Sequence, residues 1–413
     1  MMSNPEYERF LSIAQRPLCM PAGIDWSGAR VLVTGGTGCI GSALMRELTR
    51  YKPERMISFS RDEPGYPRVP GAEYLWGDVR QAGTIATVIG DLRPDIIFHT
   101  AAQRDPGLAE TETHRTVTTN VLGTRNLLQA AGEAQVPQVV LASTGKALRP
   151  YSPDVYTASK RVAEWLGTLA ASGGLRVSAA RFTHVIDNSL ILERLRGWAA
   201  AGQKIQLHAA DIAFYVQSAI ESAQLLLIAG HGAVDGEMRV HGIRNLGWPV
   251  ALADIAEGVL ADLDSASEIC VVGYERGYEE QAYPGLYDPE TAGGRSPLLS
   301  IFETAGPAYS PCPMVDSFSL QMGASFASLW WQRQLEDLCE HTAEAPLIRR
   351  ALQDLSWALL GDTLEFADPA ALVRSEKLAK PFLDDLSDDH KRMFAAVQLA
   401  VAHHLPDPDY LLQ

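Results

Sequence analysis

The sequence ARVLVTGGTGCIGSALMREL occupies residues 29–48 and combines an apolar run, three spaced glycines and a second apolar segment. The short apolar run predicts a buried strand, and the segment after the glycines predicts a helix. Gly35, Gly38 and Gly41 would allow a tight turn, a close approach of the backbone to a pyrophosphate and close packing of helix on sheet. Because the first N–H groups of a helix bind phosphate oxygens, this segment predicts a dinucleotide-binding turn rather than an ordinary loop.

The composition is that of a globular protein with two or three domain-sized units, since the chain has 413 residues and is 46% apolar. No apolar run reaches membrane-spanning length, and the polar, acidic N-terminus is unlike a signal peptide. The five scattered cysteines lack metal-binding spacing, which predicts free thiols in a reducing cytoplasm and no metal site. The net charge of −15 disfavours nucleic acid and anionic membranes as partners.

A second apolar strand is predicted at 56–60, and its end bears on the choice of cofactor. An acidic residue there would bond the free 2′-hydroxyl of NAD, whereas a small residue followed by arginine accommodates the 2′-phosphate of NADP. Ser60 and Arg61 occupy these places, so the sequence favours NADP, with NAD as the second choice. Asp62 follows directly, which leaves open the alternative that Arg61 and Asp62 are a solvated strand end.

Three further strand ends complete the predicted cofactor site. The segment 75–79 places Asp78 near the adenine amino group, 95–102 runs into small residues beside the nicotinamide ribose, and 138–144 forms the fifth strand. With a crossover helix at 120–128, the alternation of strands and helices predicts an α/β fold with a parallel, doubly wound sheet. The predicted cofactor-binding residues are Gly35, Thr37, Gly38, Cys39, Ile40, Gly41, Ser60, Arg61, Asp78, Val79, Ala101, Ala102 and Lys160.

The candidate catalytic residues follow the fifth strand. Thr144 ends that strand, and Tyr156 and Lys160 are four residues apart, so on a helix they share one face. A nearby ammonium group lowers the pKa of a phenol, which predicts Tyr156 as an acid or base near neutral pH. The Thr144 hydroxyl would be a second donor to the reacting oxygen. The alternative, a chance surface pair of tyrosine and lysine, is disfavoured by the glycine turn and the strands that precede it.

With these motifs, the sequence resembles the extended short-chain dehydrogenases/reductases, and within that group the nucleotide-sugar 4,6-dehydratases of polysaccharide biosynthesis. The resemblance covers about residues 28–290 and rests on the motifs TGGTGCIG, FSRDE, GDVR, HTAA, NVLGT, STGKA, YTASK and VVGYERGYEE. It implies a Rossmann-type fold, bound NAD(P) and temporary oxidation of a sugar hydroxyl. It also implies a homodimer that pairs through two helices of each subunit.

Three positions depart from this family. The dehydratases carry an acid directly after the threonine, where this chain has Gly145, followed by Lys146. At the two arginines that the family uses near the nucleotide diphosphate, this chain has Ala213 and Glu275. Glycine cannot protonate a departing hydroxyl, and the loss of two arginines weakens a diphosphate clamp. Lys146 is therefore a fourth catalytic candidate, and Arg276 could still reach the substrate, unless the departures reflect a shifted alignment.

The chain divides into four predicted regions. They are an N-terminal extension at 1–28, an NAD(P)-binding domain at 29–180, a mixed α/β substrate-binding region at 181–300 and a helical C-terminal extension at 301–413. Candidate substrate-binding residues are Gln103, His184, Asn188 and Arg276. Pro307, Pro311 and Pro313 predict a linker. The tail shows helical patterns at 325–340, 346–360, 368–380 and 388–403, with Trp330, Trp331, Leu335 and Leu338 on a core face.

These observations favour a cytoplasmic, NADP-dependent enzyme that oxidises a secondary hydroxyl of a sugar-like substrate, with epimerisation or re-reduction to follow. Two alternatives stay open. One is a 4,6-dehydratase in which Lys146 and water replace the missing acid. The other is a non-catalytic, cofactor-binding scaffold whose C-terminal helices bind a protein, and the intact set of Thr144, Tyr156 and Lys160 argues against it.

Overall fold

The computed structural model describes residues 4–62, 66–274, 282–287, 295–304 and 309–405. The strands are β1 Arg30–Thr34, β2 Arg55–Ser60, β3 Glu73–Trp76, β4 Ile96–His99, β5 Gln138–Thr144, β6 Arg176–Phe182, β7 His184–Val185, β8 Ile205–Leu207, β9 Ala213–Phe214, β10 Val216–Gln217, β11 Arg239–Ile243, β12 Val250–Ala251, β13 Ile269–Val271, β14 Tyr309–Cys312 and β15 Val315–Ser319. The α-helices are α1 Pro5–Ser12, α2 Cys39–Leu48, α3 Ala82–Leu92, α4 Pro106–Thr111, α5 Thr113–Val117, α6 Gly123–Glu133, α7 Val155–Ser172, α8 Leu190–Ala200, α9 Ala219–His231, α10 Leu252–Asp262, α11 Phe326–His341, α12 Ala345–Phe366, α13 Pro369–Ala379 and α14 Asp388–His404.

The largest sheet in the described residues has nine strands in the order β14-β15-β11-β6-β5-β4-β1-β2-β3. Neighbouring strands from β3 to β11 are parallel, and β15 and β14 are added antiparallel at the other edge. The chain leaves β1 in one direction and returns through β4 on its other side. In a doubly wound sheet this reversal opens a crevice at the carboxyl ends of the strands. The predicted α/β fold with a Rossmann-type parallel sheet is confirmed.

The apolar run of the first strand is explained by helices on both faces of the sheet. Val31 and Val33 point to one face and pack in a cluster with α2 and α9. Leu32 points to the other face and packs in a cluster with α3, α6 and α7. All three side chains are fully buried. A strand covered on both faces needs consecutive rather than alternating apolar residues, which is why this run is recognisable from the sequence.

The linker predicted from Pro307, Pro311 and Pro313 is wrong at Pro311, because the main sheet continues there, and Pro307 lies outside the described residues. β14 contains Pro311 and pairs with β15, which pairs with β11. Proline is tolerated in β14 because this is an edge strand, where one missing N–H leaves no partner unsatisfied. The sheet therefore crosses both of the boundaries predicted near residues 181 and 301.

The C-terminal helices α11 to α14 agree with the helical patterns of the sequence and pack against the sheet domain. Within them, α12 lies against α7, and the Trp165 indole N–H on α7 donates to the Gly323 carbonyl at 2.8 Å. Leu335 on α11 is fully buried in the core cluster that also contains residues of α7 and α12, and Trp331 and Leu338 pack against that cluster. The prediction that Trp330 lies on the core face is wrong, since 42% of its surface is exposed.

Candidate active site

A cavity of about 1290 Å³ lies where β1, β4 and β5 end. The structure brings together in its lining all the predicted site residues that it describes. These are Gly35, Thr37, Gly38, Cys39, Ile40, Gly41, Ser60, Arg61, Asp78, Val79, Ala101, Ala102, Gln103, Thr144, Lys146, Tyr156, Lys160, His184 and Asn188. Glu275 and Arg276, which bear on the predicted diphosphate contact, lie outside the described residues.

The glycine turn at the start of α2 leaves room for backbone only. Gly35 has φ +75°, and a Cβ atom there would lie 2.7 Å from the Ala101 backbone nitrogen. A Cβ atom on Gly41 would collide with the Gly35 carbonyl oxygen, which is part of the same turn. Neither clash can be relieved by moving a flexible side chain. The turn therefore fits the pyrophosphate of a dinucleotide, which needs a close approach of bare backbone at a helix N-terminus.

The end of β2 carries the residues that would meet the adenosine ribose. Ser60 is buried, and its hydroxyl oxygen accepts a hydrogen bond from the Thr37 N–H at 3.3 Å. Arg61 forms two hydrogen bonds with the Asp62 carboxylate, at 3.0 and 2.8 Å. Asp78 is likewise paired, with Arg80 at 2.6 Å. Both arginine and carboxylate thus face this end of the cavity, and a 2′-phosphate would have to compete with Asp62 for Arg61.

The three predicted catalytic side chains meet beside the end of β5. The helix α7 begins at an Asp154 N-cap, whose carboxylate accepts from the Thr157 N–H at 2.7 Å, and this fixes the direction in which Tyr156 leaves the helix. Thr144 and Tyr156 both line the cavity, and the Thr144 side chain is near enough to act on the pKa of the Tyr156 hydroxyl. Lys160 lies one turn further along α7, and its ammonium group donates to the Ala142 carbonyl at 2.7 Å. The geometry predicted for a tyrosine–lysine pair on one helix face is therefore present.

The electrostatic part of that prediction is wrong for the protein alone. Burial raises the pKa of Tyr156 to about 12, although the hydrogen bond from Thr144 acts in the opposite direction. Burial also lowers the pKa of Lys160 to about 8. The loss of hydration around the phenol outweighs any help from the ammonium, which is engaged with a backbone carbonyl. Near neutral pH the Tyr156 phenol therefore holds its proton.

Asn120 is a buried residue beside the site, and the sequence analysis assigned it no role. Its side-chain amide donates to the Ser159 hydroxyl and to the Gln103 carbonyl, both at 3.0 Å, and its oxygen accepts from the Gln103 N–H at 2.8 Å. It lies in a π-helical segment, Thr118–Leu122, and such segments recur at functional sites. Asn120 thereby joins the strand end at Gln103 to the helix that carries Tyr156. The NVLGT motif contains it, and that motif was the available signal.

Position 145, directly after Thr144, is a glycine where the resembling dehydratases carry an acid. Gly145 is buried, and a Cβ atom added to it would lie 2.6 Å from Cδ2 of Leu298. The space beside the threonine is therefore filled by an apolar side chain from a distant part of the sequence. Lys146 lies in the same lining, and burial lowers the pKa of its ammonium group.

A fully buried group of charged side chains adjoins this turn. The buried ion cluster consists of Arg161, Glu164, Arg181 and Glu303. Arg181 pairs with Glu164 at 2.7 Å and with Glu303 at 2.6 Å, and Arg161 pairs with Glu303 at 2.9 Å. The Ser143 hydroxyl donates to Glu164 at 2.6 Å, which ties the end of β5 to the cluster. Two positive and two negative charges thus balance one another directly behind Thr144.

The substrate end of the cavity holds the remaining predicted residues. His184 lies 2.7 Å from the Ser189 hydroxyl, and burial lowers its pKa to about 4, so it is a neutral polar group. The Asn188 backbone carbonyl accepts a hydrogen bond from the Arg104 guanidinium at 3.0 Å. Arg104 and Arg194 both line the cavity, and the sequence analysis assigned a role to neither. Positive charge is therefore present at this end although Ala213 replaces the family's arginine.

No three histidine, cysteine or carboxylate side chains in the described ranges are grouped as metal ligands would be. No described helix is both long and apolar enough to cross a membrane.

The relatives found by sequence comparison include two named proteins. The capsular polysaccharide biosynthesis protein CapD of Staphylococcus aureus is 27% identical over 244 residues, which cover 56% of this chain and 40% of CapD. The inverting UDP-N-acetylglucosamine 4,6-dehydratase of Campylobacter jejuni is 29% identical over 174 residues, which cover 40% of this chain and 51% of that protein. The chain thus spans about half or less of the length of these relatives.

A structural comparison supports the same fold. The structure of MoeE5 in complex with UDP-glucose and NAD superposes with a TM-score of 0.53 at 22% identity, covering 60% of this chain and 86% of MoeE5. The family model described as polysaccharide biosynthesis protein matches residues 31–287, which is more than half of the chain and includes the glycine turn, Thr144 and Tyr156. The chain therefore belongs to the polysaccharide biosynthesis protein family and has the fold of the extended short-chain dehydrogenases/reductases.

Proposed function

We propose that the protein is an NAD(P)-dependent enzyme that interconverts a secondary hydroxyl and a ketone on a sugar-like substrate: a sugar, a nucleoside or a nucleotide sugar. The observation that carries this proposal is that Thr144, Tyr156 and Lys160 line one cavity with the glycine turn, Lys160 lying one helical turn from Tyr156. A scaffold that only bound a cofactor would not need these three side chains together. The alternative of a non-catalytic scaffold is therefore the weaker one.

The residues would divide the work as follows. A bound nicotinamide cofactor supplies the acceptor or donor of hydride. Tyr156 holds its proton near neutral pH, so it is ready to donate to a ketone oxygen, and oxidation requires that it first lose this proton. The Thr144 hydroxyl steadies the same oxygen. Lys160 would bind the cofactor ribose, because its ammonium reaches the strand end at Ala142.

The step after oxidation follows from the side chains around the turn. A ketone makes the neighbouring C–H bond acidic, so inversion at that carbon needs only proton transfer. Re-reduction would need the hydride back from the reduced cofactor and a proton on the oxygen. Loss of water also requires an acid for the departing hydroxyl, and Gly145 has no side chain. We therefore propose that no water is eliminated and that the product is a keto-sugar, an epimer or a reduced alcohol.

A 4,6-dehydratase is the second candidate, and one observation favours it. Lys146 lines the cavity next to the turn, and burial lowers its pKa, which makes the ammonium a better acid than an exposed lysine. The relative from Campylobacter jejuni bears the name of such a dehydratase. In this alternative Lys146 and water would replace the acid that Gly145 lacks.

We propose NADP as the cofactor, with NAD as the second choice. Ser60 is small, and Arg61 faces the same end of the cavity, where it could bind a 2′-phosphate. The pairing of Arg61 with Asp62 and the presence of NAD in the MoeE5 complex are the reasons to keep NAD. A cytoplasmic location and a homodimer also remain proposals.

Mass analysis of products tests the proposed function. The protein is first examined by native mass spectrometry for retained cofactor, and is then incubated with NADP or NAD and candidate sugars, nucleosides and nucleotide sugars. We expect a product with the mass of a ketone, an epimer separable by chromatography, or a reduced alcohol. A product lighter by one water would establish the dehydratase alternative. The absence of turnover with all candidates and both cofactors would favour the scaffold.

A further inference from the structure

Gly145 is a glycine because of its surroundings and not because of its backbone. It begins a short 3-10 turn, Gly145–Leu148, and is not among the glycines of this chain that have positive φ. Any residue could adopt this backbone. A Cβ atom at position 145, however, would meet Leu298, with Cδ2 at 2.6 Å and Cγ at 3.5 Å. The identity of residue 298 therefore decides what can stand at residue 145.

Leu298 is held in this place from both sides. Its carbonyl accepts a hydrogen bond from Arg181 of the buried ion cluster at 3.1 Å. On the N-terminal side, the Ser296 N–H donates to the Asp316 carboxylate on β15 at 2.7 Å. On the C-terminal side, the Ser300 N–H donates to Glu303, also in the cluster, at 2.9 Å. The Leu298 side chain is 6% exposed and lines the cavity, so its methyl groups form the wall beside Gly145.

We propose that Leu298 determines the reaction specificity of this active site, because its side chain fills the space beside Thr144 that an acidic side chain at position 145 would need. The inference rests on the proposed function, since it concerns the fate of the ketone. Loss of water would break the C–H bond next to the ketone, its proton passing to a base and its electron pair forming the new double bond. The C–O bond two carbons from the ketone carbon would break with it, the oxygen leaving as water after taking a proton from an acid. Leu298 offers no such proton.

Urea unfolding tests the steric part of the proposal without any substrate. We expect Gly145→Ala to lower the urea midpoint of the wild-type protein, and to lower it by less than half as much in a Leu298→Ala background. Leu299→Ala is the matched control, because Leu299 is also buried but packs in the other core cluster and does not line the cavity. In that background Gly145→Ala should keep its full effect. Equal shifts in the wild-type and Leu298→Ala backgrounds would overturn the proposal.

Product analysis tests the functional part. The wild type, Gly145→Asp, the double variant Gly145→Asp with Leu298→Ala, and Leu299→Ala are incubated with UDP-N-acetylglucosamine or UDP-glucose and either cofactor. We expect the double variant to give at least a tenfold larger share of product lighter by one water than the other three proteins. If Gly145→Asp alone fails to fold while the double variant folds, the steric conflict is supported.

Two results would refute the functional part. One is an equal share of dehydrated product from Gly145→Asp alone, and the other is a double variant that oxidises the sugar but never releases water. If the wild type turns over neither sugar, the proposed function fails for these substrates. The urea measurements then still decide whether Leu298 and a side chain at position 145 exclude one another.

Discussion

Glu303 offers the sharpest test of what holds the active-site turn in place. Its carboxylate accepts from Arg181 at 2.6 and 2.7 Å, from Arg161 at 2.9 Å and from the Ser300 N–H at 2.9 Å, and all of these groups are buried. Glu303→Gln keeps the shape but removes one of the two negative charges that balance the two arginines. Breaking a buried ion pair by neutralising one partner typically destabilises a protein by about 3–5 kcal/mol. We expect a loss of that size in the free energy of unfolding.

The control is an ion pair of the same chemistry at the surface. Arg55 and Glu73 are joined at 2.9 Å, with 43% and 50% of their side chains exposed. Glu73→Gln should cost at most about 1 kcal/mol, because solvent screens the pair. Both variants are measured by urea unfolding, followed by circular dichroism and by tryptophan fluorescence. A loss for Glu303→Gln no larger than that for Glu73→Gln would refute the role assigned to the buried ion cluster.

The same variant should change the dependence of stability on pH. Burial alone would raise the pKa of the Glu303 carboxyl, but the charges and hydrogen bonds of Arg181 and Arg161 bring it below its ordinary value. A carboxyl with a depressed pKa stabilises the fold fully above the pKa of the unfolded chain, about 4.3, and this contribution is lost as pH falls through the folded value. The stability difference between wild type and Glu303→Gln should therefore be constant near neutrality and shrink in acid. A difference that stayed unchanged in acid would contradict this.

Three further changes probe the site itself. Tyr156→Phe should lower turnover by at least about a hundredfold, since a positioned acid/base contributes about that much to the rate. Cofactor affinity, measured by fluorescence titration, should stay within a few-fold of the wild-type value. Near-normal turnover would place the chemistry elsewhere. Lys160→Met should weaken cofactor binding by about tenfold or more, the scale of a lost charged hydrogen bond, and unchanged affinity would contradict its role at the ribose. Arg61→Ala should narrow the preference for binding NADPH over NADH. The control Arg55→Ala should leave that preference unchanged. Equal binding of the two cofactors to the wild type would refute the NADP proposal.

The sequence predicted structural features best where their signal lies in residues close together in the chain. The buried strand at Val31–Val33 is visible as an apolar run, the glycine turn as three spaced glycines, and the pair Tyr156 and Lys160 as a four-residue spacing. The four C-terminal helices also follow from apolar spacing alone. These are the parts of the fold and site in which the residue types and their neighbours in the chain carry the signal.

The errors arose where a residue's environment comes from far along the chain. The pKa of Tyr156 depends on how completely the surrounding fold removes water, which spacing on a helix does not reveal. Pro311 looked like a linker residue because its local sequence does not show that it lies in a sheet. β14, which contains Pro311, pairs with β15, and β15 joins the main sheet by pairing with the distant β11. Leu298 could not be identified because nothing in the sequence around it indicates that it meets Gly145.

The contacts of α12 also constrain the order in which the parts of a newly synthesised chain can fold. The Arg161 guanidinium donates to the Thr363 hydroxyl at 3.1 Å, across 202 residues of sequence, and Arg349 pairs with Glu110 across 239. Until the ribosome has released α12, the side of α7 that it covers has no partner, and exposed apolar surface of this kind favours aggregation. Pairings between such distant residues are also slow to form. A nascent chain that already holds Thr144, Tyr156 and Lys160 would therefore still lack the support behind them.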